Sequence, residues 1–124
     1  MKYFITPTHI KGNSVFAKKV IFQNELIGEY FKNFPNIKYT KNIFNSFDRD
    51  LGRYCNHSFN SNTDVKESYK KDGYDLHALN EIKIGEEILV NYVFIEELMN
   101  LPKNTFYRDT FNEEIQTFII KNLI

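Results

Sequence analysis

Two stretches hold the residues of this chain that could do chemistry. The first is Arg53-Tyr54-Cys55-Asn56-His57-Ser58-Phe59-Asn60-Ser61-Asn62. The second is Gly85-Glu86-Glu87-Ile88-Leu89-Val90-Asn91-Tyr92. An asparagine side chain such as Asn56 both donates and accepts hydrogen bonds, and it also serves readily as a plain turn former. His57 reads on its own as a hydrogen-bonded core histidine, and Tyr92 as a strand-end tyrosine. Cys55 has no acid or base neighbour that the sequence can pick out, so it reads as a small core residue and not as a nucleophile. It is the one cysteine of the chain, which leaves no intrachain disulfide and no cysteine-based zinc site.

In this order and at this distance the two stretches resemble the signature motifs of the SET-domain protein lysine methyltransferases, R-x-x-N-H-S-x-x-P-N and G-E-E-L-x-x-D-Y. The match covers Arg53, Asn56, His57, Ser58 and Asn62, then Gly85, Glu86, Glu87 and Tyr92. Ser61, Ile88 and Asn91 depart from it. Upstream, Lys11-Gly12-Asn13-Ser14-Val15-Phe16-Ala17 is similar to the family's G-x-G-v-f-A segment, with Ser14 at the second glycine. A positive φ there would strain a serine. Phe59 stands where some relatives carry a zinc-binding cysteine, so no metal is expected.

The resemblance implies transfer of a methyl group from S-adenosylmethionine to a lysine side chain. Tyr92 takes the position of the catalytic tyrosine. Gly12, Asn13, Ser14, Val15, Asn56 and His57 would bind the cofactor, with Asn56 at its zwitterionic end and backbone groups near His57 at the adenine edge. Tyr30, Tyr54, Val90 and Phe94 are candidates for lining the lysine channel. Val90 lacks a hydroxyl to hold a water, which leaves di- or trimethylation allowed. Arg53 would support the fold, with Glu87 as its carboxylate partner. The competing implication is a catalytically inactive SET-fold protein-binding module, for which Ser14, Ser61 and Asn91 speak.

The elements that must position these residues are mostly short strands. Lys2 to Ile5 opens as a strand closed by Pro7. Leu26 to Tyr30 alternates around Leu26 and Gly28 as a half-buried strand. Thr63 to Tyr69 and Tyr74 to Leu79 read as a hairpin about Asp72-Gly73, whose residue types suit positive φ. Glu87 to Tyr92 reads as a final strand. Thr110-Phe111-Asn112-Glu113 has capping-box spacing. Phe111, Ile115, Phe118, Ile119 and Leu123 then form the stripe of an amphipathic helix. That helix would pack on the domain, close the substrate groove or form a homodimer contact. The reading is mainly β. By resemblance it is a SET-domain, β-clip-like fold of small curved sheets with a knot-like C-terminal crossing and a C-terminal helix. One domain spans 1–124, with a core over 1–94, a short insert at about 32–52 and a helical extension over 95–124.

Sixteen basic and sixteen acidic side chains cancel. No net field therefore draws the chain to nucleic acid or anionic lipid. No apolar run is long enough to span a membrane, and the N-terminus lacks a signal-peptide core. The expected partner is a lysine-containing protein or peptide, a histone among the candidates. The expected setting is intracellular, nuclear or cytoplasmic.

Overall fold

A computed structural model of the chain describes residues 1–8, 11–32, 51–99 and 107–123. The insert expected at about 32–52 falls almost wholly outside these residues. Strand β1 (Tyr3–Thr8) pairs antiparallel with β2 (Gly12–Ala17). Pro7 lies within β1, opposite Asn13, and does not end it. Among the described residues this sheet has only two strands, so Pro7 sits on an edge, where a missing N–H is tolerated. Phe4 stacks on Phe16 at 5.7 Å.

A second sheet has the order β3 (Leu26–Lys32), β6 (Gly73–Ala78), β5 (Thr63–Glu67), all antiparallel. Asn24 turns the chain into β3 at φ 69°, a conformation asparagine tolerates. The pairing of β3 shifts register between Leu26 and Gly28 and between Glu29 and Phe31. Its buried side chains are consequently Ile27, Tyr30 and Phe31, and Leu26 is exposed, against the expected alternation. The β5–β6 hairpin forms where expected, but its positive φ falls on Lys71. Gly73 is needed for another reason. A Cβ there would stand 2.1 Å from the carbonyl oxygen of Phe31, so only glycine lets β6 lie this close to β3.

Between the sheets run the two motif segments. Helix α1 (Leu51–Tyr54) leads into β4 (Asn56–His57), which pairs parallel with β7 (Leu89–Val90). Residues 85–88 lie against the end of β2, with Ala17 N–H to Glu86 C=O at 2.9 Å and Ile88 N–H to Val15 C=O at 2.8 Å. Asn62 then grips the same segment from the other motif, donating to Glu87 C=O at 2.8 Å and accepting from Leu89 N–H at 2.9 Å. Thr63 Oγ1 donates to Leu89 C=O at 2.7 Å. The expected architecture of small sheets with a C-terminal helix is the one the chain adopts. Val15, Ile21, Leu51, Leu76, Ile82, Ile88 and Val90 fill the core where these pieces meet.

The expected final strand is shorter than its sequence suggested. Asn91 ends β7 and begins helix α2 (Tyr92–Met99). Its Oδ1 accepts from the N–H groups of Val93 and Phe94 at 3.1 and 3.3 Å, the work of an N-cap. Asparagine and aspartate are both good caps, so this role does not depend on which of the two stands at position 91. Helix α3 (Glu113–Leu123) is capped by Asn112, whose Oδ1 accepts from Ile115 N–H at 3.0 Å, and not by Thr110. Of its expected apolar stripe, Ile115 alone is fully buried.

Candidate functional site

Strands β2, β4 and β7 bring the first group of candidate residues together. Gly12 adopts φ +66°, and no atom lies within 4 Å of where its side chain would be. Gly12 and Asn13 are exposed, whereas Ser14 and Val15 are fully buried. Ser14 does not take a positive φ, so it carries no such strain. Its hydroxyl instead accepts from Asn56 Nδ2 at 2.7 Å. The same amide donates to Glu87 Oε2 at 2.9 Å. The other carboxylate oxygen of Glu87 receives Lys11 Nζ, which also donates to Thr110 C=O at 2.8 Å.

Lys11 and Glu87 are 9% and 3% exposed. Charges this deep persist only when paired and further hydrogen-bonded, and each has a second partner, Thr110 for the lysine and Asn56 for the glutamate. The expected Arg53–Glu87 pair does not form. Arg53 lies exposed on α1, whose single turn sends Leu51 inward and Arg53 out.

The second group is aromatic and shares His57 with the first. Tyr92 donates its hydroxyl to Cys55 C=O at 2.6 Å. Its backbone N–H donates to His57 Nδ1 at 3.0 Å. That bond puts the imidazole proton on Nε2, which is buried and has no hydrogen-bond partner among the described residues. Burial lowers the His57 pKa, with only partial compensation from Asp109 and the Val90 carbonyl. Burial, reinforced by Cys55, Tyr107 and Glu87, pushes the Tyr92 phenol well above its ordinary range. Tyr30 is buried and shifted the same way, by burial first and then by Cys55, Tyr92 and Tyr107. Among the described residues the cluster around Tyr92 therefore offers neutral phenols, a neutral imidazole and a main-chain carbonyl.

Tyr107 completes the cluster. Its ring lies 5.1 Å from Tyr92, edge to face, and 5.3 Å from His57. Its hydroxyl donates to buried Glu96 of α2. Burial and this glutamate push the phenol up to about 12. Two residues on, Asp109 accepts from Ser58 Oγ at 2.9 Å, Phe59 N–H at 3.1 Å and Phe111 N–H at 3.1 Å. Partial burial alone would raise its carboxyl, but the three donors outweigh that and hold it below the ordinary range. Thr110 fixes His57 C=O with both its N–H at 3.0 Å and its hydroxyl at 2.9 Å. That carbonyl is thus already filled, against the expectation that backbone groups near His57 are open to a ligand.

Lys11, Tyr107, Asp109 and Thr110 are site residues that the motifs do not mark. Lys11 adjoins the Gly12 segment but looks like any other lysine. Tyr107 and its neighbours follow no period, and only their fold-back onto β4 gives them a role. Of the expected channel residues, Tyr30 is buried in the core, and Tyr54 packs partly buried against that core as Tyr92 does. Val90 is fully buried in that core. Phe94 does not join the cluster. It is half-exposed and borders a small cleft of about 200 Å³ with Ser61, Asp64 and Leu79.

A family model described as "SET domain" matches residues 33–93. Among solved structures, the fold is similar to that of a Plasmodium falciparum protein described as a presumptive histone methyltransferase. The TM-score is 0.54 at 21% identity, over 73% of this chain and 92% of that one. No curated protein sequence matches.

Proposed function

The chain is a SET-domain protein, and from that we propose that it is an S-adenosylmethionine-dependent protein-lysine N-methyltransferase. The observation that carries this reading is the Tyr92 hydroxyl, bonded to Cys55 C=O at 2.6 Å beside the rings of His57 and Tyr107. A lysine amine must be neutral to act as a nucleophile. With a free pKa near 10.4, its deprotonation at neutral pH costs about 4–5 kcal/mol. Aromatic walls desolvate an entering ammonium and reduce that cost. His57 is no base for the proton, since Nδ1 is engaged by Tyr92 N–H and Nε2 already bears hydrogen. It is a positioning group for Tyr92, and the proton leaves through water. Tyr92, neutral at working pH, orients the amine with its oxygen and the adjacent carbonyl. Alignment of the reacting atoms is itself a large part of such catalysis.

S-adenosylmethionine supplies, when bound, a methyl group made electrophilic by its sulfonium. Gly12, Asn13, Ser14, Val15, Asn56 and His57 would hold it. One feature fits that ligand, the open face of Gly12. The Lys11 and Glu87 charges are paired with each other, and the Asn56 amide donates to Ser14 and Glu87, so they position this wall of the site. Thr110 on the His57 carbonyl fits less well. It favours the second reading, a non-catalytic SET-fold protein-binding module.

Calorimetric titration with S-adenosylmethionine separates the two. The wild type is expected to bind, and Asn56→Ala to bind at least about tenfold more weakly, as the loss of a charge-linked hydrogen bond implies. Tyr92→Phe is expected to bind as the wild type does but to methylate lysine peptides, histone tails included, about 10²-fold more slowly. A folded wild type that binds no S-adenosylmethionine, with or without peptide, would overturn the enzyme reading and favour the binding module.

A further inference from the structure

Helix α3 is anchored from one side. Ile120 and Leu123 pack over Gly85, and Ile115 is buried. Gln116 accepts from Glu87 N–H at 2.7 Å and donates to Gly85 C=O, so it serves that segment as an extra strand would. The other side presents two aromatic rings to solvent. Phe118 is 64% exposed and Phe111 48%. With Glu113, Glu114, Thr117 and Lys121 they border a shallow surface groove of about 770 Å³.

The spacing on this face is self-complementary. Phe118 lies on α3, and Phe111, just ahead of the Asn112 cap, borders the same groove. Glu114 and Lys121 stand seven apart, about two turns, and so carry opposite charges on the same face of the helix as Phe118. A parallel copy would set like charges at one level. An antiparallel copy, about a two-fold axis near Thr117 and Phe118, sets each Glu114 opposite Lys121 of the other copy. It also brings the two Phe118 rings together at the centre. We propose that α3 is a self-association surface that pairs antiparallel with α3 of a second copy of this chain.

At 1.5 Å per residue α3 is only about 16 Å long, too short for the roughly 800 Å² per partner of a standard interface. The dimer is therefore weak and concentration-dependent. Through Gln116, pairing steadies the helix that braces Glu87. This inference is independent of the methyl-transfer reading.

Sedimentation velocity on the full chain from about 10 µM to 1 mM tests it, a range that suits dissociation constants of roughly tens to hundreds of micromolar. The wild type is expected to pass from monomer to dimer. Lys121→Glu is expected to raise the dissociation constant at least about tenfold, from loss of two ion pairs and gain of two repulsions. Adding Glu114→Lys to it restores the wild-type value within about threefold. Phe118→Ser, at an exposed position, stays monomeric with its circular dichroism unchanged. A wild type that remains monomeric throughout overturns the proposal. So does a dimer indifferent to Lys121→Glu and Phe118→Ser, or a charge swap that restores nothing.

Discussion

Lys11 shows how much of the site rests on one side chain. It neutralises Glu87, which in turn orients the Asn56 amide. Lys11→Met leaves the buried carboxylate without its counter-charge and is expected to cost about 3–5 kcal/mol. Urea unfolding checks this, and Lys11→Met with Glu87→Gln should recover most of the loss. A single variant within 1 kcal/mol of wild type, by the scale for exposed pairs, would show that the pair is not buried in solution. At this scale the motifs marked Asn56, His57, Glu87 and Tyr92, because those residue types at that spacing are unusual. Lys11 and Tyr107 stayed hidden, because a lysine and a tyrosine gain meaning only from what folds against them. Arg53 was misjudged for a related reason. A motif position suggests a partner but does not say which way a short helix points its side chain.

Among the elements, the hairpin of β5 and β6 was legible and its turn chemistry was not. Asp72-Gly73 suggested glycine at a positive φ, but the glycine lies in β6 under the Phe31 carbonyl. Gly73→Ala is therefore expected to destabilise by about 1–3 kcal/mol through forced separation of β3 and β6. Asp72→Ala, in the turn itself, should cost less. Urea midpoints for the two variants decide between these roles, and equal losses would return the glycine to the turn. Helix α2 escaped notice because Tyr92-Val93-Phe94-Ile95 is as apolar as a strand. The Asn91 cap that starts it looked like a mere motif departure. The amphipathic period of α3 was read correctly as a helix, but a stripe says which residues are apolar, not which of them the domain covers.

For the whole molecule, acid sensitivity follows from His57. Its folded pKa is below its ordinary value of about 6.5, so the unfolded chain binds more protons and stability rises with pH across that window. The contribution is complete above about 6.5 and is lost as pH falls through the lower folded value. Asp109 and Glu25, whose carboxyls are also lowered, act only in more acidic solution. The urea midpoint is expected to fall from about pH 7.5 to pH 5, and His57→Gln to flatten that slope. A flat wild-type profile would mean that the imidazole is solvated. The parallel joining of β4 to β7 was beyond reading from composition or period, and only the motif resemblance pointed to it.

That joining has a thermodynamic corollary. The walls of the site come from residues 11–14, 56–57, 87 and 107–110, stretches far apart along the chain. A molecule seated among them would act as a removable staple, lending its binding free energy to the folded state alone. The melting temperature then becomes a gauge of occupancy. Warming the protein beside each candidate small molecule would rank ligands before any turnover has been observed.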